Sequence, residues 1–188
     1  INVYTKAVAS DATQTEAFNG ITPSGDGKLI SSAVYEAGWS VNSQSASRQI
    51  YTTSLNYGVS SPSLALTTTG DYIQTTTYSA PIKSISFWAK DQKGAVTSTS
   101  TTLIEGFNGT TWSTIATLSN ADAINAGTKT YNLVSLGKTD IVKIRMTFTK
   151  LEGNLSIDDV AVTTGGISNT HISGSPFSVS GTTSKIVN

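Results

Sequence analysis

The sequence predicts an all-β protein built as an antiparallel two-sheet β-sandwich. Three observations carry that expectation. From Ile82 to Thr163, apolar and polar residues alternate through five or more short segments, the period of strands that each bury one face. Ser and Thr are abundant, in runs such as 67–69, 75–77 and 97–102, and β-branched Thr suits the solvent face of a strand. Glycine occurs 16 times and long-chain helix formers are few, so helix should be nearly absent.

The elements follow in order. Ile1 to Ala9 alternates and reads as a first strand. Residues 11–38 are broken into loops by Phe18-Asn-Gly20, Pro23-Ser-Gly-Asp-Gly27 and Gly38, with a short strand or turn at 28–35. Little period is visible from Trp39 to Tyr57. Ser63 to Thr67 and Asp71 to Thr75 read as strands around a turn at Gly70. Ile82 to Lys90 is the best central strand, with Ile85, Phe87 and Ala89 on its buried face. Ser84, Ser86, Trp88 and Lys90 then face outwards.

Asn108-Gly-Thr-Thr111 joins the clearest hairpin, 101–107 with 112–118. A four-residue loop there sets Phe107 opposite Trp112, and cross-strand ring contact favours that register over a two-residue loop. One helical turn fits 120–126. Strands at 129–133, 142–149 and 155–163 close the sheet.

The boundaries expected are a single sandwich over 1–165 and a linker and tail over 166–188, opened by Gly165-Gly166. The tail either docks on the domain or supplies the first strand or two of a following immunoglobulin- or fibronectin-like module. The chain opens on Ile1 with no initiator Met and no signal peptide, and so reads as an excised or processed piece of a longer protein.

Bulk properties exclude several functions. Twelve acidic and twelve basic residues cancel, so no net field would draw nucleic acid or an anionic membrane. No apolar run approaches the ~20 residues of a membrane span, so a soluble chain without membrane insertion is expected. Cysteine is absent, which leans towards a bacterial protein. A catalytic set is hard to assemble: His171 is the one histidine, no glycine-rich phosphate loop precedes a lysine, and no strand places acids at alternate positions. The chain is therefore not expected to be an enzyme.

Two constellations remain. Asp158 and Asp159 are adjacent in the last alternating strand, which would direct them to opposite faces, so at least one needs a partner. Calcium takes six to eight oxygens, and Glu16, Asp26, Asp158 and Asp159 are candidate ligands if the early loops fold beside that strand. For Asp26 a turn-capping role wins; for the Asp pair, metal ligand and solvated acid stand level. Aromatic faces offer a platform for sugars: Trp88 on the outward face, with Trp39 and Tyr57 as weaker partners. Each large aromatic taken alone is more often core.

Ser86-Phe-Trp-Ala-Lys90, Glu105-Gly-Phe-Asn-Gly-Thr-Thr-Trp112 and Gly153-Asn-Leu-Ser-Ile-Asp-Asp-Val160 together carry a resemblance. The chain resembles the cleaved-adhesin and MAM-like modules of secreted multidomain Bacteroidetes proteins over roughly 13–164. Thr15-Glu-Ala-Phe-Asn-Gly20 is similar to their acidic-aromatic start, and Glu36-Ala-Gly-Trp39 to the Gly-Trp that follows. The resemblance implies a jelly roll, galactose-binding-like or MAM-like. It also implies a structural Ca²⁺ held by Glu16, by Asp158 or Asp159, and by carbonyls of the early loop. In function it implies a non-catalytic, extracellular or cell-surface binding or adhesion module. We expect carbohydrate as its ligand class, a polysaccharide or glycoprotein glycan, and neighbouring domains of the same polypeptide as partners. The alternative is an accessory or spacer domain of a secreted nuclease, protease or glycan-degrading enzyme, with no glycan binding of its own.

Overall fold

The computed structural model describes residues 10–165. The expected strand 1–9, His171 and the tail from Gly166 onwards lie outside the described residues. Thirteen strands run in order: β1 (Ala12–Glu16), β2 (Thr22–Ser24), β3 (Leu29–Ser32), β4 (Ser40–Asn42), β5 (Ile50–Tyr51), β6 (Ser63–Leu66), β7 (Tyr72–Gln74), β8 (Ile82–Asp91), β9 (Thr101–Phe107), β10 (Trp112–Ser119), β11 (Gly127–Asn132), β12 (Lys143–Thr149) and β13 (Leu155–Thr164). One sheet has the order β11-β8-β13-β6-β5, with β1 also on β13; the other is β10-β9-β12-β7-β4. A β2-β3 hairpin stands apart. Every strand pair is antiparallel, and the two larger sheets form a jelly-roll sandwich.

Alternation decides what fills the space between the sheets. Ile85, Phe87 and Ala89 of β8 are fully buried, as their spacing predicts. Ile104 of β9 and Ile144, Met146 and Phe148 of β12 come from the facing sheet into the same core. The hairpin register also agrees with expectation: Trp112 pairs with Phe107, ring centroids 5.2 Å apart. Asn108 Oδ1 accepts the amides of Thr110 and Thr111 at 3.0 and 2.9 Å, and Gly109 supplies the positive φ of 97°.

One reading needs correction. Residues 11–38 are not all loop, since β1 and β2 lie within them. β1 (Ala-Thr-Gln-Thr-Glu) has little apolar pattern because it is added at the sheet edge, where pairing to β13 supplies what its composition does not. The turn expected at 120–126 is a single 3₁₀ turn, Asn120–Ala123, capped by the Ser119 hydroxyl.

Phe87 is the largest buried side chain of the central strand, and its truncation should leave a cavity. Phe87→Ala is expected to lower unfolding free energy by ~3–5 kcal/mol, read as a shift in urea midpoint at unchanged slope.

Candidate functional site

The site grows from a change of neighbour along one edge of β13. Its first residues, Leu155–Ile157, pair with Leu66–Leu64 of β6; its later ones, Val160–Thr164, pair with Glu16–Ala12 of β1. Between these ladders sit Asp158 and Asp159. On the other edge Asp158 pairs with Trp88 and Ala161 with Ser86, so β13 carries one extra residue. That is a β-bulge, and Asp159 takes it up with φ 47°.

The bulge corrects the expectation of opposite faces. Both carboxylates turn to the loop between β5 and β6, where Asp158 Oδ2 accepts the Gly58 amide and Asp159 Oδ2 the Val59 amide, each at 2.8 Å. Asp158 Oδ1 accepts the Asp159 amide at 2.8 Å. Glu16, at the end of β1, binds the amide of Phe18 with one oxygen and that of Glu36 with the other. Phe18, left-handed at φ 54°, turns the chain inwards, and its ring is fully buried.

Burial governs the charge of these groups. Asp158 is 0% exposed, and that desolvation pushes its carboxyl up to about 7. Its two amide bonds pull the other way, while the negative charges of Asp159 and Glu16 add a smaller upward push. Burial likewise raises Glu16, against its two amide bonds, and raises the Tyr35 hydroxyl, with Glu16 contributing. Three carboxylates thus share one corner, and the four ion pairs of the described residues lie elsewhere. An open, polar cleft of about 450 Å³ adjoins Glu16, lined also by Asn19, Tyr35 and Glu36 but not by the two aspartates.

This donor set fits calcium in kind, being hard oxygen, and a carboxylate oxygen that accepts one amide keeps a second lone pair. No three His, Cys, Asp or Glu side chains among the described residues converge as a metal-binding group. A cation here would therefore draw much of its shell from carbonyl oxygens and water. Asp26 serves a turn instead, accepting the Lys28 amide at 2.9 Å.

The aromatic candidates separate. Trp88 is half-buried on the outward side of β8, as expected, and Tyr57 is half-buried in the 52–62 loop. The loop brings Gly58, next to Tyr57, against the Trp88 Cβ. Trp39 is the correction: it is 7% exposed and belongs to the core, so it offers no open face to a sugar. It directly precedes β4, and its ring packs into the core of the sandwich.

Sequence reasoning missed the loop's own part. Lys90 Nζ bonds the Leu55 carbonyl and Asn56 Oδ1, both at 2.9 Å, holding Leu55 at φ 70°. Leu55 and Val59 stand 76% and 88% exposed. Ser60 Oγ bonds Asn19 Oδ1 at 2.9 Å, joining this loop to the Phe18 corner. All three non-glycine residues with positive φ among the described residues (Phe18, Leu55 and Asp159) lie in this one neighbourhood, where backbone strain has collected. A partner 100 positions away leaves no local signal in the sequence.

A methyl group at Gly58 would come within 2.1 Å of Asp159 Oδ2 and 3.3 Å of the Trp88 Cβ, whereas one at Gly25 would meet nothing within 4 Å. Gly58→Ala should cost ~1–3 kcal/mol in urea unfolding, with Gly25→Ala nearly silent.

At the sequence level no protein-family model and no curated protein matches the chain. Solved structures do. The chain is similar to the K3 cleaved adhesin domain of Lys-gingipain from Porphyromonas gingivalis w83 at TM-score 0.55 and 12% identity, over 82% of this chain and 99% of that one. The K2 cleaved adhesin domain of Lys-gingipain gives 0.53 and 9%, over 80% and 99%. At these identities the likeness is one of fold: the chain has the sandwich architecture of the cleaved adhesin domains.

Proposed function

We propose that this chain is a non-catalytic, extracellular binding or adhesion module whose ligand is carbohydrate. Trp88 carries the reading. It stands half-buried on the outward side of a central strand, against the 52–62 loop pinned by Lys90, and an indole so placed is a rigid amphipathic group of the kind that stacks on a sugar ring. The fold shared with adhesin domains supports the class. Asp158, the carboxyl raised to about 7, would suit a general acid, but nothing of it is exposed, so no substrate reaches it. Its environment supports a structural role. No helix among the described residues is long and apolar enough to cross a membrane.

Trp88→Ala should weaken binding to a responsive glycan by at least about tenfold, or ~1.4 kcal/mol, while the melting midpoint falls only slightly. A loss of ~3–5 kcal/mol in stability would instead make Trp88 core. A glycan array without hits would leave an accessory domain docked on its neighbours in the same polypeptide, and turnover by the purified chain would overturn both readings.

We further propose one structural Ca²⁺ at the corner of Glu16, Asp158 and Asp159, where it would neutralise acids that take no part in the four ion pairs of the described residues. Its effect is readable in the sign of a pH slope. Without metal, folded Asp158 holds its proton up to about 7 while the unfolded chain releases it near 3.8, so stability falls as pH rises through that window. Bound calcium requires ionised carboxylates, so stabilisation by millimolar calcium should instead grow as pH rises. Melting curves in chelator and in calcium at pH 5 and 8 test this. Asp158→Asn should flatten the chelator slope, and identical curves in both buffers would remove the cation.

A further inference from the structure

We propose that residues 52–61 form a strap that opens as one unit while the sandwich stays closed, and that its opening uncovers the outer sheet face beside Trp88. Only the link to Trp88 rests on the carbohydrate reading. Register shows which face is covered. Ala65 of β6, Ser156 of β13 and Lys90 of β8 are cross-strand neighbours, and Asp158 with Trp88 forms the next rung. Leu64, Ile157 and Ala89 alternate with them and fill the core, so this set points outwards. Ala65, Ser156 and Asp158 are nevertheless fully buried. The strap closes the Asp158 end of that face. Its Gly58 amide meets Asp158 at 2.8 Å, and the hydroxyl of buried Ser63 reaches its Asn56 carbonyl at 2.6 Å.

Every side-chain tie on the strap is polar. Asp158 and Asp159 take the Gly58 and Val59 amides, and Lys90 holds the Leu55 carbonyl and Asn56 Oδ1. Ser63 donates to the Asn56 carbonyl, and Ser60 to Asn19 Oδ1. From 52 to 61 no residue is buried, whereas Tyr51 and Pro62, which bound the segment, both are. Its aliphatic side chains, Leu55 and Val59, stand in solvent, and Leu55 holds a left-handed φ of 70°.

These features set a shallow closed state. Closure buries no whole apolar side chain, so the largest stabilising contribution to folding is missing from it. Strain at Leu55 opposes it. On opening, water replaces each hydrogen bond, and the Asp158 carboxyl regains the hydration it lost on burial. A segment held in this way belongs to the low end of local stability, and its buried ends make it a unit of its own. The sheet beneath it is held by ladders the strap takes no part in.

Native-state hydrogen exchange in chelator, across urea concentrations below the unfolding transition, tests this without any ligand. The probes are the Gly58 and Val59 amides. The references are the buried amides of Thr75 and Phe148 in the other sheet, bonded to the Ile144 and Asp71 carbonyls at 3.0 and 2.8 Å. We expect Gly58 and Val59 to exchange at least about a hundredfold faster than the references, with nearly flat urea dependence where theirs is steep. Lys90→Met touches neither amide, and should speed both at least about tenfold together. Chymotrypsin should nick the native wild type after Leu55 or Tyr57, the two fragments staying associated with unchanged far-UV dichroism. That arm decides the matter if Lys90→Met fails to fold. Exchange of Gly58 and Val59 at the reference rates overturns the strap. So does a Lys90→Met chain that folds and leaves both amides unmoved, or the absence of a cut in 52–61 below the transition. A glycan array without hits leaves the strap standing and removes only its link to Trp88.

Discussion

The need of buried carboxyl groups for backbone amide donors is the constraint on which the irregular half of this molecule depends. Asp158 cannot be withdrawn from water unless donors meet it, and the donors are the amides of Gly58 and Asp159 rather than a cationic side chain. Reaching them requires the bulge and a left-handed Asp159, a strain of ~1–3 kcal/mol. Leaving a buried carboxyl without those two hydrogen bonds would cost ~1–3 kcal/mol for each unsatisfied group, which outweighs it. The geometry persists because the bonds win.

The same device recurs. Asp71, fully buried, takes the amide of Gln44 on one oxygen and those of Thr67 and Thr68 on the other. Asp91 takes Asn120 Nδ2 on one oxygen and the Gly94 amide with the Ser98 hydroxyl on the other. Each carboxylate gathers segments distant in sequence. A chain without cysteine has no disulfides to hold long connections, and three of the four ion pairs among the described residues have an exposed partner. Buried aspartates fasten the loops in their place. Gly153 shows how closely such a knot packs, since a methyl group there would come within 2.6 Å of Asp91 Oδ1.

The regular half was legible in the sequence because its signal is local. Ile85, Phe87 and Ala89 announce their face by period two, and Asn108-Gly109 announces its hairpin and thereby the Phe107–Trp112 pair. The Asp pair was legible as an anomaly, two adjacent acids in an alternating strand, and Glu16 through the resemblance of its segment. What they would meet was not, because Gly58, Val59 and Glu36 are ordinary residues whose amides become donors only after folding. Trp39 failed for the complementary reason: nothing in 39–57 shows which short segment is drawn under the sheet.

The pairing of β1 with the end of β13 has a mechanical consequence. Ala12 is opposite Thr164 and Glu16 opposite Val160, so the two ends of the described ladder emerge side by side. Tension applied through both ends would peel this ladder open one pair at a time instead of shearing all its bonds together. The Asp11–Lys83 ion pair and the Thr13–Thr163 hydroxyl contact would yield first, and the peel would then arrive at Glu16, clamped to Phe18 and Glu36. Under load the molecule would pay out a short length of chain and then stop, with its sandwich closed.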